Sequence, residues 1–209
     1  MKPSRKHVRG RPPGRRRGGV ALAGARPGPV LLAGVLSRRR LALGGGARPG
    51  PFLVPVEVAP SPLGGLGVFA RAPLARGTLV ADLTAGAHLI CEADYREAQR
   101  AGNPRVLRSA VRWLGDHFLC CEESDEADYL NHSFSPNILY LWGSCIALDD
   151  IAAGEELTVD YRYFLAERDE TRFIDGPTGR LVDGLDASRA LLGSVLRLLA
   201  LAGASRAAA

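Results

Sequence analysis

Apolar residues recur at alternate positions through the middle of the chain, in short runs. FLVPVEVAP at 52–60 alternates around an edge-tolerant proline and predicts a strand. SPLGGLGVFA predicts a Gly-rich turn feeding a second strand, and APLARGTLVADL a third after a turn at Arg76-Gly77. From Glu92 the period lengthens. EADYREAQRAGNP predicts a helix stopped at Gly102-Asn103-Pro104. PRVLRSAVRWLG predicts a second, with Leu107, Val111 and Leu114 on one face and Arg105, Arg108 and Arg112 on a solvated one. HFLCC is a short apolar strand, and ILYLWGSCIALDDI predicts two strands around a hairpin at Gly143-Ser144. A turn at Gly154 leads into EELTVDYRYF, another strand. Short strands around a helical insertion at 92–115 define a β-rich α+β class.

Composition divides the chain. Residues 1–56 hold 13 of the 27 Lys and Arg and no Asp or Glu, while the rest holds 14 basic and all 22 acidic residues. A cationic arm is thus joined to an acidic body, which favours cationic partners through long-range attraction. Residues 1–50, dense in Gly, Pro, Arg and Ala, bury too little apolar surface to offset ordering entropy and are expected to be disordered. Their VLLAGVL run is too short to span a bilayer. Residues 51–165 form the ordered domain, and 166–209 an extension with one helix. In that helix Asp186 is the N-cap and Leu191, Val195, Leu198 and Leu199 form an apolar stripe. Cys91, Cys120, Cys121 and Cys145 lack zinc-ligand spacing, so reduced structural thiols and no metal are expected.

Three segments carry the candidate chemistry: GGLGVFA at 64–70, YLNHSFSPN at 129–137 and AAGEELTVDYRYF at 152–164. Each alone is ordinary. GGLG lacks the full GxGxxG spacing and the βαβ setting of a dinucleotide site. In their order and with their flanks, the three resemble the SET-domain family of protein-lysine methyltransferases. The first is similar to its Gly-x-Gly-Val segment, the second to Asn-His-Ser-x-x-Pro-Asn, and the third to Gly-Glu-Glu-Leu-Thr-x-Asp-Tyr.

That resemblance implies a SET-type fold with a knot-like C-terminal crossing, and S-adenosyl-L-methionine as cofactor. It places the cofactor on Gly64, Gly65, Leu66 and Gly67, on Asn131 and His132, and on Tyr161 and Phe164. Tyr161 is the implied catalytic residue, and Val159 and Tyr163 would line the lysine channel. Phe134 stands where many members have Cys, and Val159 where many have Phe or Tyr. The family often has a tyrosine in the strand after the Gly-x-Gly segment, and LVADLTAG has none, so Tyr95 or Tyr163 would complete the channel wall. With the family's zinc module missing, the 186–202 helix would cover the site. The implied activity is methyl transfer to lysine in a basic protein or peptide, in the cytoplasm, or the nucleus of a eukaryote. A degenerate module that binds basic peptides without turnover is the alternative. The arm would add at most salt-sensitive nucleic-acid contact, and no membrane span is expected.

Overall fold

In a computed structural model, residues 50–207 of the protein are described, with side chains through 203. The arm expected at 1–50 therefore lies outside the described residues, apart from Gly50. The alternating run beginning at Phe52 becomes regular strand only at β1 (Val56–Pro60); Phe52 makes a single bridge to Ala81. A turn over 61–65 reverses the chain into β2 (Leu66–Ala70), antiparallel to β1.

Three small sheets surround the core. β1 and β2 continue into β10 (Glu156–Val159) and then β7 (Asn131–His132), in the order β1-β2-β10-β7. The β10–β7 pairing is parallel, with Thr158 opposite Asn131 and Val159 opposite His132. It sets side by side two segments that are distant along the chain. A second sheet orders β3 (Leu79–Asp82), β9 (Ser144–Ala147) and β8 (Ile138–Leu141). Its expected hairpin turns one residue early, on Trp142 and Gly143 with φ of 50° and 87°; positive φ at both central residues suits the twist of the flanking strands. The third sheet orders β4 (Ala87–Cys91), β6 (His117–Cys121) and β5 (Val111–Leu114). Buried Val68, Val80, Ile138, Tyr140, Leu157 and Val159 form the core shared by the first two sheets, while Phe118 and Cys120 of the third pack in a second cluster with Tyr95, Val106 and Ala166.

The helical insertion is shorter than expected. α1 (Glu92–Arg100) ends as predicted before Gly102, whose φ is 71°. In α2 (Pro104–Ser109), Asn103 caps the first turn by accepting from the amides of Arg105 and Val106. The chain then turns extended at Ala110, and Val111–Leu114 is strand, not helix. β-branched Val111 and aromatic Trp113 suit a strand, and Gly115 with φ 59° closes its turn to β6. Arg112 is correspondingly buried and not solvated. It donates to the carbonyls of Gly115 and Leu165, at 2.7 and 3.2 Å, and lies 5.1 Å from the Phe118 ring centre.

The segment after the third motif, DGPTGR, is the turn of a hairpin between β11 (Phe173–Ile174) and β12 (Leu181–Val182). α3 (Ala187–Ala207) begins on Asp186, which accepts from the amides of Ser188 and Arg189. The helix is where the sequence put it, but the buried stripe is not. Ala190, Ser194 and Leu201 face inward while Leu191 and Leu199 are exposed. Small residues set this contact: Ser194 reaches the Tyr140 carbonyl at 3.2 Å, and Gly193 sits against the Tyr163 ring. All four cysteines are unpaired; Cys120 and Cys145 are buried, and burial pushes the Cys145 thiol up to about 12. Among the described residues no helix is long and apolar enough to cross a membrane.

Candidate active site

Glu156, at the start of β10, joins the three motif segments. Its carboxylate accepts from Ser61 Oγ at 2.8 and 2.9 Å and from Asn131 Nδ2 at 2.7 Å. The same Asn131 nitrogen reaches the Leu66 carbonyl at 3.0 Å. Gly67 is required for this closeness: a Cβ there would collide with the Glu156 carboxylate and stand 3.1 Å from Asn131 Nδ2. Gly64 and Gly65 differ in kind. They take φ of 117° and 64°, and a Cβ on either would meet open space. The turn therefore offers bare backbone on an accessible surface.

His132 is buried behind this junction. Its Nδ1 accepts from the Tyr161 amide at 3.1 Å, which assigns the ring proton to Nε2. That Nε2 is buried with no hydrogen-bond partner among the described residues. Burial is the main influence on the ring and lowers its pKa, so it is neutral near pH 7 and its 4.0 Å approach to Asp160 is not an ion pair. Asp160 is itself buried and is neutralised by Arg162 at 2.6 Å and Arg197 at 3.7 Å. It also caps the short 3-10 turn Tyr161–Tyr163 through the Arg162 amide.

Within that turn the half-buried Tyr161 donates its hydroxyl to the Leu130 carbonyl, one residue before Asn131. Burial pushes its pKa up to about 12. Its ring lies 4.9 Å from Phe164, 5.5 Å from His132 and 6.1 Å from Phe173, centre to centre. Tyr161, Val159 and Phe164 line a cavity of about 240 Å³, together with Leu130, Tyr140 and Phe173. Asp125 and Asp128 also line it.

Gly64, Gly65, Leu66, Gly67, Asn131 and His132 are not among the residues lining this cavity, although Leu130 and Val159 connect it to their strands. Tyr163 lies elsewhere. It is held under α3 with Arg197 4.8 Å above its ring, and it lines a separate small pocket with Trp142 and Ser194. Tyr95 does line the main cavity, as one of the two proposed wall residues, but its hydroxyl is held by Asp169 at 2.6 Å. None of the described α3 side chains lines that cavity; the extension reaches it through Thr171 and Phe173. Sequence reasoning missed Tyr140 and Phe173. ILYL is buried at all four positions, which gives no period to single out one tyrosine, and Phe173 sits beside a stretch that reads as plain turn.

Phe134 packs edge-on to His132 at 4.6 Å and lies between two guanidinium groups, Arg180 at 3.8 Å and Arg162 at 4.7 Å. Arg180 precedes β12, so the aromatic ring ties the second motif to the extension.

Residues 65–162, just under half of the chain, match the family model of the SET domain. Domains of this family are generally those of protein-lysine methyltransferases. No curated protein matches the chain.

Proposed function

We propose that the protein transfers methyl groups from S-adenosyl-L-methionine to the side-chain amine of lysine in a basic protein or peptide. The observation that carries this reading is the position of Tyr161. It lies on the wall of a largely apolar cavity, where the Asn-His strand and the strand preceding the tyrosine run side by side. We also assign these two segments the knot-like crossing of the family.

The residues present suit the cofactor. Open backbone at Gly64 and Gly65, the accessible Asn131 side chain and the orphaned Nε2–H of His132 supply polar groups of the kind a nucleoside and an amino acid need. Gly64 to Gly67, Asn131, His132, Tyr161 and Phe164 are the residues that would hold it. When bound, it supplies an electrophilic methyl group on a sulfonium.

The chain's own part is to deliver a neutral, oriented amine. Asp125 and Asp128 attract the ammonium, and the apolar walls beyond them lower its pKa by desolvation. Tyr161 is not the base, because burial raises its pKa and near neutrality it holds its proton. While it donates to Leu130, its oxygen still has lone pairs to accept from the amine or from a polarised methyl C–H, so it fixes the line of approach. Valine at 159, not a larger aromatic, leaves room for an amine already carrying a methyl group.

A second reading has its own observation. Tyr95, Tyr140 and Tyr161 each donate their hydroxyl to a protein acceptor, which also suits a module that binds peptide without turnover. Calorimetry with S-adenosyl-L-methionine followed by methyl transfer to mixed basic protein separates the two. Binding with transfer supports the enzyme, binding without transfer supports the module, and no binding refutes the cofactor assignment.

A further inference from the structure

α3 is apolar on two faces, and the fold uses one of them. Ala190, Ser194 and Leu201 are buried against the body. On the other side Leu192, Leu196 and Leu199 follow one another at helical spacing and are 59, 56 and 60 % exposed. The outward face of a surface helix is ordinarily polar. Here the one charged residue from 190 to 203 is Arg197, and it is turned onto the buried Asp160 at 3.7 Å. The apolar surface continues beyond the helix. Leu191 lines a small pocket with Leu114 and Trp142, which are 46 and 45 % exposed. Trp142 is held there at φ 50°, a conformation that bulky side chains seldom adopt.

We infer that this face is the interface of a homodimer, in which α3 packs antiparallel on α3 of a second copy about a two-fold axis at Val195 and Leu196. Its size suits that occupant. The exposed parts of Trp142, Leu114, Leu191, Leu192, Leu196 and Leu199 come to roughly 600 Å² per copy, and a polar rim raises this to the about 800 Å² per partner of a standard interface. The largest apolar patch of an ordinary monomer is about 300–600 Å². The face is also self-complementary, as a two-fold contact requires. In the antiparallel register Leu192 meets Leu199 of the second copy, and Leu196 meets its Val195. Arg189, the exposed cation at the start of the stripe, falls opposite Ala202, so no like charges are brought together. A lipid surface fits less well, because it draws on free basic residues around the apolar face. Arg189 and Arg197 are instead paired with Asp186 and Asp160.

This interface stays clear of the Tyr161 cavity, which none of the described α3 side chains lines. It does bear on the turn that carries Tyr161. Gly193 and Arg197 pack on the ring of Tyr163, in the same 3-10 turn, so a second copy seated on α3 holds the helix down on that turn.

The test uses the full chain without any methyl donor, so its outcome is independent of the proposed activity. Sedimentation equilibrium should show the 22.2 kDa chain passing to twice that mass as concentration rises, with a dissociation constant on the order of micromolar. Leu192→Glu combined with Leu199→Glu should raise that constant at least a hundredfold. Both side chains are exposed in the single copy, so the circular dichroism spectrum of the variant should match that of wild type. A second variant does not depend on how the glutamates are tolerated. Leu196→Cys, close to the two-fold axis, should give a disulfide-linked dimer on mild oxidation, in excess of wild type and of Leu63→Cys on the β1–β2 turn. A monomer at every concentration up to about 100 times the expected constant overturns the inference. So does a dimer whose constant the two glutamates leave unchanged, or a Leu196→Cys protein that crosslinks no more than wild type. A monomer that binds phosphatidylserine vesicles, and loses that binding with the two glutamates, also overturns it and assigns the face to lipid.

Discussion

Asp169 is where the C-terminal extension is locked to the rest of the fold, and replacing it with asparagine tests that lock. The carboxylate is fully buried and accepts five hydrogen bonds. They come from the Tyr95 hydroxyl at 2.6 Å, Gln99 Nε2 and Thr171 Oγ1 at 2.7 Å, the Thr171 amide at 2.9 Å and the Ala166 amide at 3.0 Å. Asp169→Asn keeps the shape but replaces one acceptor oxygen with a donor. Whichever way the amide turns, its NH₂ group faces a backbone N–H, either that of Ala166 or that of Thr171. Orphaning one buried amide costs about 1–3 kcal/mol, and each bond that loses its charged acceptor weakens by about 1 kcal/mol. The expected loss is about 3–5 kcal/mol, in the range for a broken buried network. Urea unfolding of the full chain should show it as a lower midpoint at unchanged slope. Burial acts to raise the Asp169 pKa, but the hydrogen bonds outweigh it and hold the folded value below the ordinary one. A depressed folded pKa stabilises above the unfolded value of about 3.9 and ceases to do so as pH falls through the folded value. The gap between wild type and variant should therefore be full at pH 7 and narrow below about pH 4. A loss under about 1 kcal/mol, or a gap constant from pH 7 to pH 3, would refute the reasoning.

Three other outcomes follow from the site. Gly67→Ala must displace the Glu156 carboxylate from Ser61 and Asn131, so calorimetry should show affinity for S-adenosyl-L-methionine at least tenfold weaker, about 1.4 kcal/mol; an unchanged affinity contradicts the assigned cofactor turn. Wild type should add more than one methyl group to a lysine peptide, and Val159→Phe, which fills the cavity wall, should shift products to monomethyl-lysine by mass spectrometry; strict monomethylation by wild type argues against a roomy channel. Phe134→Ala removes the ring between Arg162 and Arg180 and should lower stability by about 1–2 kcal/mol, with faster exchange in the 173–182 hairpin; unaltered exchange there means the ring does not anchor it.

Much of this was legible in the chain because the informative residues are local. Gly64 and Gly65 announce a turn, and it occurs. The Asn-His and Tyr161 segments were expected to meet, and β7 and β10 pair in parallel. Asp186 caps its helix as its side chain suggests. What failed to show depended on tertiary context. Leu107, Val111 and Leu114 keep a helical spacing, yet a turn at Gly115 and the partner strand β6 draw the second half into a sheet. Arg112 reads as surface until Leu165, far along the chain, supplies a carbonyl for it. Tyr163 looks like a channel residue two positions after Tyr161, but the 3-10 turn rotates it beneath α3. Asn131 gives no sign in the sequence that its Nδ2 also staples Leu66 to Glu156. No local pattern encodes such partners.

The central claim is that Tyr161 orients a lysine amine for methylation in the cavity it lines. The most direct measurement is transfer of labelled methyl from S-adenosyl-L-methionine to a lysine-bearing basic peptide, by wild type and by Tyr161→Phe matched for cofactor affinity. The account predicts turnover by wild type and a loss of at least a hundredfold in the variant, about 2.7 kcal/mol of transition-state stabilisation. Equal rates in the two proteins, or no transfer by a wild type that binds the cofactor, would contradict it.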